Sequence, residues 1–336
     1  MHILFADTFP ATSVAAIEAT GASCELRPEL TVEQLPGALV GVDALVVRST
    51  RVTDEALAAA DRLRLVIRAG SGTNTIAREA AARRGIAVCN VPGRNAVAVA
   101  ELAFALLLCL DRNIPDAVAD LRAQRWDKAR YERARGLHGR SVGVVGLGEI
   151  GLAFAERAHA FGMAVHAVAR ADRDPAITSR AETCGVRFVE DLPALAACCD
   201  VLSFHVPLSD DTRGLVGREL LAHCRDGAWV INTSRGEIVD EDALLEAMET
   251  RGLRAGLDVF AGEPATSTAR FVSALAQHPN VYGTHHIGAS TEQAQQAVAD
   301  EVVRMLAAFP HGRLLHCVNG VTDIVREHAF DATARR

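Results

Sequence analysis

Short apolar segments alternate with amphipathic stretches in the N-terminal part of the chain. The apolar segments are rich in Val, Ile and Leu, and polar or glycine-containing turns separate them. Strands that alternate with helices are typical of βαβ units around a parallel sheet. The pattern predicts helices at residues 13–20 and 54–60, and strands at residues 3–6, 44–48, 65–69 and 86–89.

A long apolar stretch follows and is predicted to form a helix over residues 95–112. Because residues 100–108 are apolar almost all round, we expect this helix to be buried on several sides, in a core or against another subunit. A polar segment at 120–135 comes next, and a second βαβ series begins at Ser141. Its strands are expected at residues 141–146, 164–169, 186–189, 201–205, 228–232, 254–258 and 281–284, before a helix at 291–309 and a last strand at 314–318.

The two series predict two α/β domains. The chain has 336 residues, more than one domain of ordinary size contains. We expect two Rossmann-like or flavodoxin-like domains, each built on a parallel sheet, with a cleft between them. Hydrophobic residues make up 49% of the chain, which is enough to build a core for each domain.

Charge and aromatic content narrow the range of partners. Lys and Arg total 35 against 42 Asp and Glu, so the formal net charge is −7, and aromatic residues make up only 4%. An acidic chain with few stacking side chains is not expected to bind nucleic acid. The longest apolar run, near residues 102–110, is about half as long as a membrane span. We therefore expect no membrane partner.

The eight cysteines are scattered, with no C-x-x-C spacing. This distribution indicates neither a structural zinc site nor a disulfide framework, so no metal is expected. Cys198 and Cys199 are adjacent, which favours a small-residue core position over a strained vicinal disulfide. Reduced thiols, and an N-terminus that does not resemble a signal peptide, predict a cytoplasmic protein.

A dinucleotide-binding fingerprint, G-x-G-x-x-G, directly follows the predicted strand at 141–146. Its first glycine permits a tight turn, its second lets the backbone approach a pyrophosphate, and its third allows close packing of helix on strand. The predicted helix at 152–161 then directs free N–H groups at the phosphates. The residues expected to bind the cofactor here are Gly146, Gly148, Glu149, Ile150 and Gly151.

The end of the next strand bears on the choice of cofactor. An acidic residue about 20 positions beyond the fingerprint usually binds the ribose hydroxyls of NAD. Ala169 occupies that position, and Arg170 follows it. An arginine there accommodates the 2′-phosphate of NADP, so an NAD(P) cofactor is expected, with NADP favoured. In the alternative interpretation Arg170 is a solvated surface residue and Asp172 makes the ribose contact.

Three later motifs, with the fingerprint, carry a family resemblance. They are S-R-G at 234–236, L-D-V-F-A-G-E-P at 257–264 and H-I-G-A-S-T at 286–291. In this order and spacing they resemble the D-isomer-specific 2-hydroxyacid dehydrogenases, nearest the phosphoglycerate branch. The resemblance spans about residues 40–320.

The resemblance implies a catalytic set of Arg235, Glu263 and His286. Arg235 would bind the carboxylate and the developing oxyanion, because its planar fork suits a 2-oxo acid. His286 would be the proton donor, and Glu263 would pair with it and keep a proton available. His285 directly precedes it, but the family pattern favours His286 because Ile-Gly-Ala follows. The implied cofactor contacts further along the chain are Asp258, at the nicotinamide amide, and Pro207, Thr212 and Thr233.

Two N-terminal loops resemble the substrate loops of the family. Arg68, Gly70, Ser71 and Gly72 correspond to a loop whose backbone N–H groups bind the substrate carboxylate. Arg48 and Ser49 correspond to the loop of the phosphoglycerate branch, where a cation holds a C3 phosphate. In the alternative interpretation the arginines of this second loop are simply solvated. Asn74 and Ala77 depart from the family pattern, and we expect them to alter a turn rather than catalysis.

The resemblance also implies a domain organisation. Residues 1–94 and 287–336 would form the substrate-binding domain, and residues 95–286 the NAD(P)-binding Rossmann domain. The helix at 95–112 and the segment after it look like the dimerisation region of the family, so a homodimer is expected. Because the chain ends near Arg336, no C-terminal regulatory domain is expected.

The function implied is an NAD(P)-dependent oxidoreductase that interconverts a D-2-hydroxy acid and its 2-oxo acid. The phosphoglycerate reaction of serine biosynthesis is the leading expectation, and a glyoxylate or hydroxypyruvate reductase is the alternative. A cofactor-sensing, corepressor-like binding protein is the rival from a different class.

Overall fold

The computed structural model describes residues 1–264 and 268–322. The chain divides into two compact units. The first comprises Met1–Asn95 and the described chain from Glu292 onward, and the second comprises Ala96–Thr291. Part of the predicted substrate-binding domain, residues 323–336, lies outside the described residues.

The first unit is a five-stranded parallel sheet with the strand order β2-β1-β3-β4-β5. Neighbouring residues of β4 enter different hydrophobic clusters, since Val66 packs in one and Leu65 and Ile67 in the other. The sheet is therefore buried on both faces, as parallel sheets generally are. Its elements are β1 (His2–Phe5), α1 (Ala11–Glu18), β2 (Ser23–Leu26), α2 (Leu35–Ala38), β3 (Ala44–Val47), α3 (Asp54–Ala59), β4 (Leu65–Arg68), α4 (Arg78–Arg83), β5 (Ala87–Asn90) and the C-terminal helix Glu292–Ala308, which packs on α1.

The second unit is a seven-stranded parallel sheet with the strand order β12-β11-β10-β9-β6-β7-β8. The order reverses between β9 and β6, and such switch points are where open α/β sheets bind ligands. The elements are α5 (Ala96–Arg112), α6 (Ile114–Arg122), α7 (Lys128–Tyr131), β6 (Ser141–Val145), α8 (Glu149–Ala160), β7 (Ala164–Val168), α9 (Pro175–Thr183), β8 (Arg187–Val189), α10 (Leu192–Cys198), β9 (Val201–Phe204), α11 (Arg218–His223), β10 (Trp229–Asn232), α12 (Glu241–Arg251), β11 (Arg254–Leu257), α13 (Ala274–Gln277) and β12 (Val281–Gly283).

The fold class predicted from the sequence is confirmed as α/β with two parallel sheets. Strand β2 was not predicted, because its Ser-Cys-Glu-Leu sequence lies at a half-exposed sheet edge and lacks an apolar run. The strand predicted at 314–318 is wrong, since the segment makes only an isolated antiparallel bridge from Cys317 to Cys89. Across the described ranges, no helix is both long and apolar enough to span a membrane.

The chain crosses back to the first unit later than the sequence indicated. The prediction placed the return at residue 287, whereas the boundary lies between Thr291 and Glu292. Residues 287 and 288 stay with the second unit because the backbone N–H groups of Ile287 and Gly288 donate to the Asp258 carboxylate.

Candidate active site

The glycine fingerprint forms the turn between β6 and α8, at the switch point of the sheet. Gly146 has φ +97°, and a Cβ there would lie 2.6 Å from the carbonyl oxygen of His205 on the loop after β9. A Cβ on Gly151 would lie 1.9 Å from the carbonyl oxygen of Gly146. Gly148 caps α8, and a Cβ on it would meet open space. The first and third glycines therefore serve backbone packing, and the second leaves room at the helix N-terminus.

The two residues between these glycines differ in their surroundings. Glu149 is exposed and forms a two-pronged ion pair with Arg180 of α9, with oxygen–nitrogen distances of 2.8 and 3.2 Å. That hydrogen bonding lowers the pKa of the Glu149 carboxyl. Ile150 is half-buried in the first turn of α8. The Glu149 carboxylate is thus held by Arg180 of α9. The groups that remain for an anionic ligand are the backbone N–H groups in the first turn of α8.

Past the end of β7, Arg170 and Asp172 pair with each other. Nε and Nη2 of Arg170 lie 3.0 and 2.7 Å from the two carboxylate oxygens of Asp172, and both side chains are exposed. Arg173 turns back instead, donating to the carbonyl of Val168 at 2.6 Å and covering the ring of Phe188. The residue expected to bind the 2′-phosphate of NADP, Arg170, is therefore paired with the residue that makes the ribose contact in the alternative interpretation, Asp172.

The cofactor residues predicted beyond β9 lie on two loops. Pro207 is exposed, and its carbonyl accepts a 2.6 Å hydrogen bond from the Thr212 hydroxyl, which also accepts from the N–H of Ser209. The Thr212 hydroxyl therefore stabilises the turn of the loop that carries Pro207. Thr233 directly follows β10, and its hydroxyl is buried without a hydrogen-bond partner among the described residues. A buried hydroxyl of this kind suits a ligand contact, since unsatisfied buried groups are costly.

Arg235 lies on the loop after β10, and the fully buried Asn232 organises that loop. The Asn232 amide donates to the carbonyl of Arg235 at 2.8 Å, and its oxygen accepts from the N–H and the hydroxyl of Ser234. The Arg235 side chain is half-buried, and burial lowers the pKa of its guanidinium although Glu237 and Glu263 act to raise it. Asn232 thus holds the backbone that carries the guanidinium, and the carboxylates of Glu237 and Glu263 lie near it.

His286 lies on the loop after β12, and the buried carboxylate of Asp258 holds this loop. That carboxylate accepts from the Thr284 hydroxyl at 2.7 Å and from the N–H groups of Ile287 and Gly288 at 2.8 Å each. The N–H of His286 donates to the Asp258 carbonyl at 2.7 Å. Asp258 therefore positions the histidine, and its contact with nicotinamide stays a prediction.

His286 is the histidine that pairs with Glu263. Its Nδ1 lies 2.7 Å from Oε2 of Glu263, while Oε1 accepts from the N–H of Phe260 at 2.9 Å. Burial acts to raise the pKa of the Glu263 carboxyl, but the His286 hydrogen bond, the Phe260 N–H and the charge of Arg235 hold it below its usual value. The carboxylate is therefore ionised and accepts from Nδ1–H, which leaves Nε2 as the nitrogen available to a substrate.

The loop at residues 48–50, in the first unit, wraps around the side-chain carboxylate of Asp7. Asp7 accepts from the N–H groups of Arg48, Ser49 and Thr50, at 2.6, 3.2 and 3.2 Å. The Ser49 hydroxyl also donates to Asp7, at 2.6 Å. The backbone N–H groups of this loop and the Ser49 hydroxyl thus donate within the protein, and substrate binding by Arg48 and Ser49 stays a prediction. The Arg48 side chain is half-buried.

The loop after β4 presents a cation rather than a row of free N–H groups. The N–H of Gly70 already donates to the Arg68 carbonyl at 2.8 Å. A Cβ on Gly70 would collide with the Arg68 guanidinium, so glycine is required for this side chain to fold over the loop. The Ser71 hydroxyl makes hydrogen bonds with the Val91 carbonyl and the Asn95 side chain, and Gly72 is half-buried. The Gly70 N–H is thus engaged within the loop, and the binding of a substrate carboxylate by this loop stays a prediction.

Sequence reasoning missed the residues that support the site. Asn232 and Thr284 organise the loops of Arg235 and His286, and Asp7 organises the loop of Arg48. Each of them lies at the end of a strand or within two residues after it. A polar residue at the end of an otherwise apolar strand is the signal that could have marked them.

The seven-stranded sheet, with a glycine fingerprint at its switch point, defines a dinucleotide-binding unit. Residues 104–288 match the family model described as D-isomer specific 2-hydroxyacid dehydrogenase, NAD binding domain. The chain therefore belongs to the D-isomer-specific 2-hydroxyacid dehydrogenase family.

Relatives and solved structures agree with this assignment. The chain is 38% identical over 330 residues to the D-3-phosphoglycerate dehydrogenase of Methanocaldococcus jannaschii, covering 97% of this chain and 61% of that protein. The TT0316 protein from Thermus thermophilus is similar with a TM-score of 0.80 at 31% identity, covering 94% of this chain and 98% of that one. For a glyoxylate reductase from Paecilomyes thermophila the TM-score is 0.83 at 27% identity, covering 95% and 98%. The chain spans 50–61% of the length of the first three curated phosphoglycerate dehydrogenases that it matches.

Proposed function

We propose that this protein is an NAD(P)-dependent dehydrogenase that interconverts a D-2-hydroxy acid and its 2-oxo acid. The observation that carries the proposal is the Glu263–His286 pair, with an Nδ1–Oε2 distance of 2.7 Å. It lies on loops after β11 and β12, next to the strand that precedes Arg235. An ionised carboxylate, an oriented imidazole and a guanidinium are the groups that reduction of a 2-oxo acid requires.

The chain's own residues would handle the proton and the negative charge. With Nδ1–H donating to Glu263, His286 would exchange a proton with the C2 oxygen of the substrate through Nε2. The Arg235 fork would bind the adjacent carboxylate and stabilise charge on that oxygen. A nicotinamide cofactor, when bound, supplies or accepts the hydride. The open space at Gly148 and the buried hydroxyl of Thr233 fit such a cofactor.

The phosphoglycerate reaction, and with it a place in serine biosynthesis, is the leading substrate proposal. The relatives named D-3-phosphoglycerate dehydrogenase support it. The Asp7 carboxylate within the Arg48 loop favours the alternative, an unphosphorylated acid such as glyoxylate or hydroxypyruvate, because it puts negative charge beside the proposed phosphate site. We propose that Arg68 and Arg48, in the first unit, bind the anionic groups of the substrate.

A substrate panel tests the proposed function. Initial rates would be measured with phosphohydroxypyruvate, hydroxypyruvate, glyoxylate and pyruvate, each with NADH and with NADPH. We expect turnover of at least one 2-oxo acid, and its loss in Arg235→Gln. Tight cofactor binding with no turnover across the panel would instead favour the corepressor-like binding protein.

For the cofactor, we propose that NADPH is used at least as well as NADH. Ala169 offers neither an acceptor for the ribose hydroxyls nor repulsion of a 2′-phosphate. Arg170 supplies positive charge nearby, although Asp172 balances part of it through their ion pair. The 2′-phosphate would take the place of the Asp172 carboxylate on the exposed guanidinium.

We also propose a cytoplasmic homodimer. All eight cysteines are free thiols, as expected in a reducing compartment. Ile114, Val118 and Leu121 form an exposed stripe on α6, and Trp126 beyond it is 83% exposed. A second copy of the chain would cover this apolar surface, as the resemblance implies. Light scattering of Leu121→Glu should show a monomer where the parent is a dimer.

A further inference from the structure

His166, Cys198 and Cys199 form a cluster in the second unit that the dehydrogenase proposal does not use. One ring nitrogen of His166 and the two sulfur atoms all lie within 4.8 Å of one another. His166 is on β7, Cys198 ends α10, and Cys199 follows it. Both cysteines come before β9, so they lie at the amino end of that strand, whereas the fingerprint and the catalytic loops follow the carboxyl ends of theirs. The cluster is therefore separate from the candidate active site.

The spacing of the two sulfur atoms suits a shared ion. They are 3.6 Å apart, well beyond the roughly 2.05 Å of a disulfide bond. Two thiolates bound tetrahedrally to one zinc ion at about 2.3 Å each lie about 3.8 Å apart. The adjacent cysteines thus already have nearly the separation that bidentate binding of one ion requires.

The histidine is oriented as a metal ligand usually is. Its Nδ1 lies 3.2 Å from the Ala164 carbonyl oxygen. With the proton on Nδ1 donated to that carbonyl, Nε2 keeps a lone pair, an arrangement that is common among metal-binding histidines.

The backbone around the cysteines is fixed. The Ser141 hydroxyl donates to the Cys198 carbonyl at 3.0 Å, and the N–H of Ser141 donates to the Asp200 carboxylate at 2.9 Å. Arg225 donates to the carbonyl of Ala197 at 3.0 Å. Because these contacts hold the chain on both sides of the cysteine pair, little ordering would accompany binding. Cys199 is buried, whereas Cys198 and His166 are half-buried, which leaves access for an ion and for a solvent ligand.

We propose that His166, Cys198 and Cys199 bind a thiophilic d¹⁰ cation, with Zn²⁺ as the ion tested. Two thiolates and one imidazole match the soft and borderline donors that such ions prefer. The fourth position would hold water. This site differs from the sequence expectation of no metal, because its ligands are an adjacent cysteine pair and a histidine from another strand rather than a C-x-x-C motif.

The test uses the reduced full chain and a chromophoric chelator that competes for Zn²⁺. We expect one tightly bound zinc per chain. Cys198→Ser and His166→Gln should each weaken binding by at least the 10- to 100-fold that disturbing even an outer-shell partner costs. Cys184→Ser, at another half-buried cysteine of this unit, and His286→Asn, at the active site, are matched controls that should bind zinc as the parent does.

Substitution by Co²⁺ provides a direct readout of the ligands. A sulfur-to-cobalt charge-transfer absorption should appear in the parent and in both controls, and should be weakened in Cys198→Ser. Thermal unfolding of each variant without metal shows that the fold is retained. Parent-like zinc affinity in both Cys198→Ser and His166→Gln would overturn the proposal. So would loss of binding in His286→Asn, or a Cys198–Cys199 disulfide in the isolated protein whose reduction yields no zinc site.

Discussion

The Asp258 carboxylate holds the backbone of the His286 loop, accepting from the two residues that follow His286. His286 has φ +54°, a left-handed conformation that costs a non-glycine residue on the order of 1–3 kcal/mol. The hydrogen bonds from Ile287 and Gly288 to Asp258, both 2.8 Å long, stabilise it. A buried carboxylate thus maintains the backbone that brings the imidazole to Glu263.

Replacement of Asp258 should therefore act through the histidine. Asp258→Asn keeps the shape but replaces one acceptor oxygen by a donor that faces an N–H or a hydroxyl. We expect kcat to fall by about 10- to 100-fold, with a smaller change in cofactor affinity. The measurement is kcat together with the Kd of NADH or NADPH by fluorescence. A loss confined to cofactor affinity would indicate that nicotinamide binding, rather than positioning, is its main role.

His286→Asn should remove the proton relay and leave the cofactor site intact. General acid–base catalysis is worth about 10²–10⁴ in rate, so we expect a fall in kcat of that order with an unchanged cofactor Kd. His285→Asn is the matched control, because it changes the adjacent exposed histidine. Severe damage in His285→Asn with a mild effect in His286→Asn would reverse the assignment.

Arg48→Ala tests the phosphate site. A charge-assisted hydrogen bond contributes roughly 1.5–3 kcal/mol, so kcat/KM for phosphohydroxypyruvate should fall by at least tenfold more than kcat/KM for hydroxypyruvate. Asp7→Asn removes negative charge from the same loop but also replaces one of the oxygens that organise it, so its readout is the ratio of kcat/KM for phosphohydroxypyruvate to kcat/KM for hydroxypyruvate, which should rise. Equal losses on both substrates in Arg48→Ala, or a parent inactive on the phosphorylated acid, would favour the glyoxylate or hydroxypyruvate function.

The ion pair of Arg170 and Asp172 provides a test of cofactor choice. We expect the parent to use NADPH at least as well as NADH, and Asp172→Asn to shift kcat/KM further towards NADPH, because it frees the guanidinium. Ala169→Asp combined with Arg170→Pro should shift the preference towards NADH by about one decade, since exposed charges are screened. A parent that strongly prefers NADH, or an unchanged preference in the double variant, would show that this strand end does not set the choice.

Glu301 should make the stability of the first unit sensitive to acid. Burial acts to raise the pKa of its carboxyl, but hydrogen bonds from Arg304, Arg94 and His316 lower it to about 2, from an ordinary value of 4.5. A carboxyl whose pKa is depressed on folding adds stability above its ordinary pKa and loses it as the pH falls through the folded value.

Chemical denaturation from pH 7 to pH 2 measures this contribution. Because the partner arginines are half exposed, screening reduces the contribution to about 1–2 kcal/mol. Glu301→Gln should be less stable than the parent by that amount above pH 4.5, and the difference should shrink as the pH falls towards 2. The exposed Glu182→Gln is the control and should track the parent. A pH-independent difference would assign the effect to packing.

The sequence by itself determined the two parallel sheets and the order of the functional motifs. Apolar strands alternating with helices, and glycines at 146, 148 and 151, impose requirements on neighbouring residues in the chain, so they can be recognised without coordinates. The catalytic set Arg235, Glu263 and His286 was also predicted, through its motifs. The edge strand Ser23–Leu26 was not, because its pairing depends on β1 rather than on its own side chains.

Only the tertiary structure decided which groups share a hydrogen bond. Asp7 and Arg48 are far apart in sequence, yet the Asp7 carboxylate occupies the backbone donors of the Arg48 loop. His166 comes within reach of Cys198 and Cys199 because α10 returns the chain to the neighbourhood of β7. Such contacts depend on the register of strands and the packing of helices, which bring together residues that no local pattern relates. The distances and directions between side chains, which define a site, therefore follow from the tertiary structure and not from the sequence pattern.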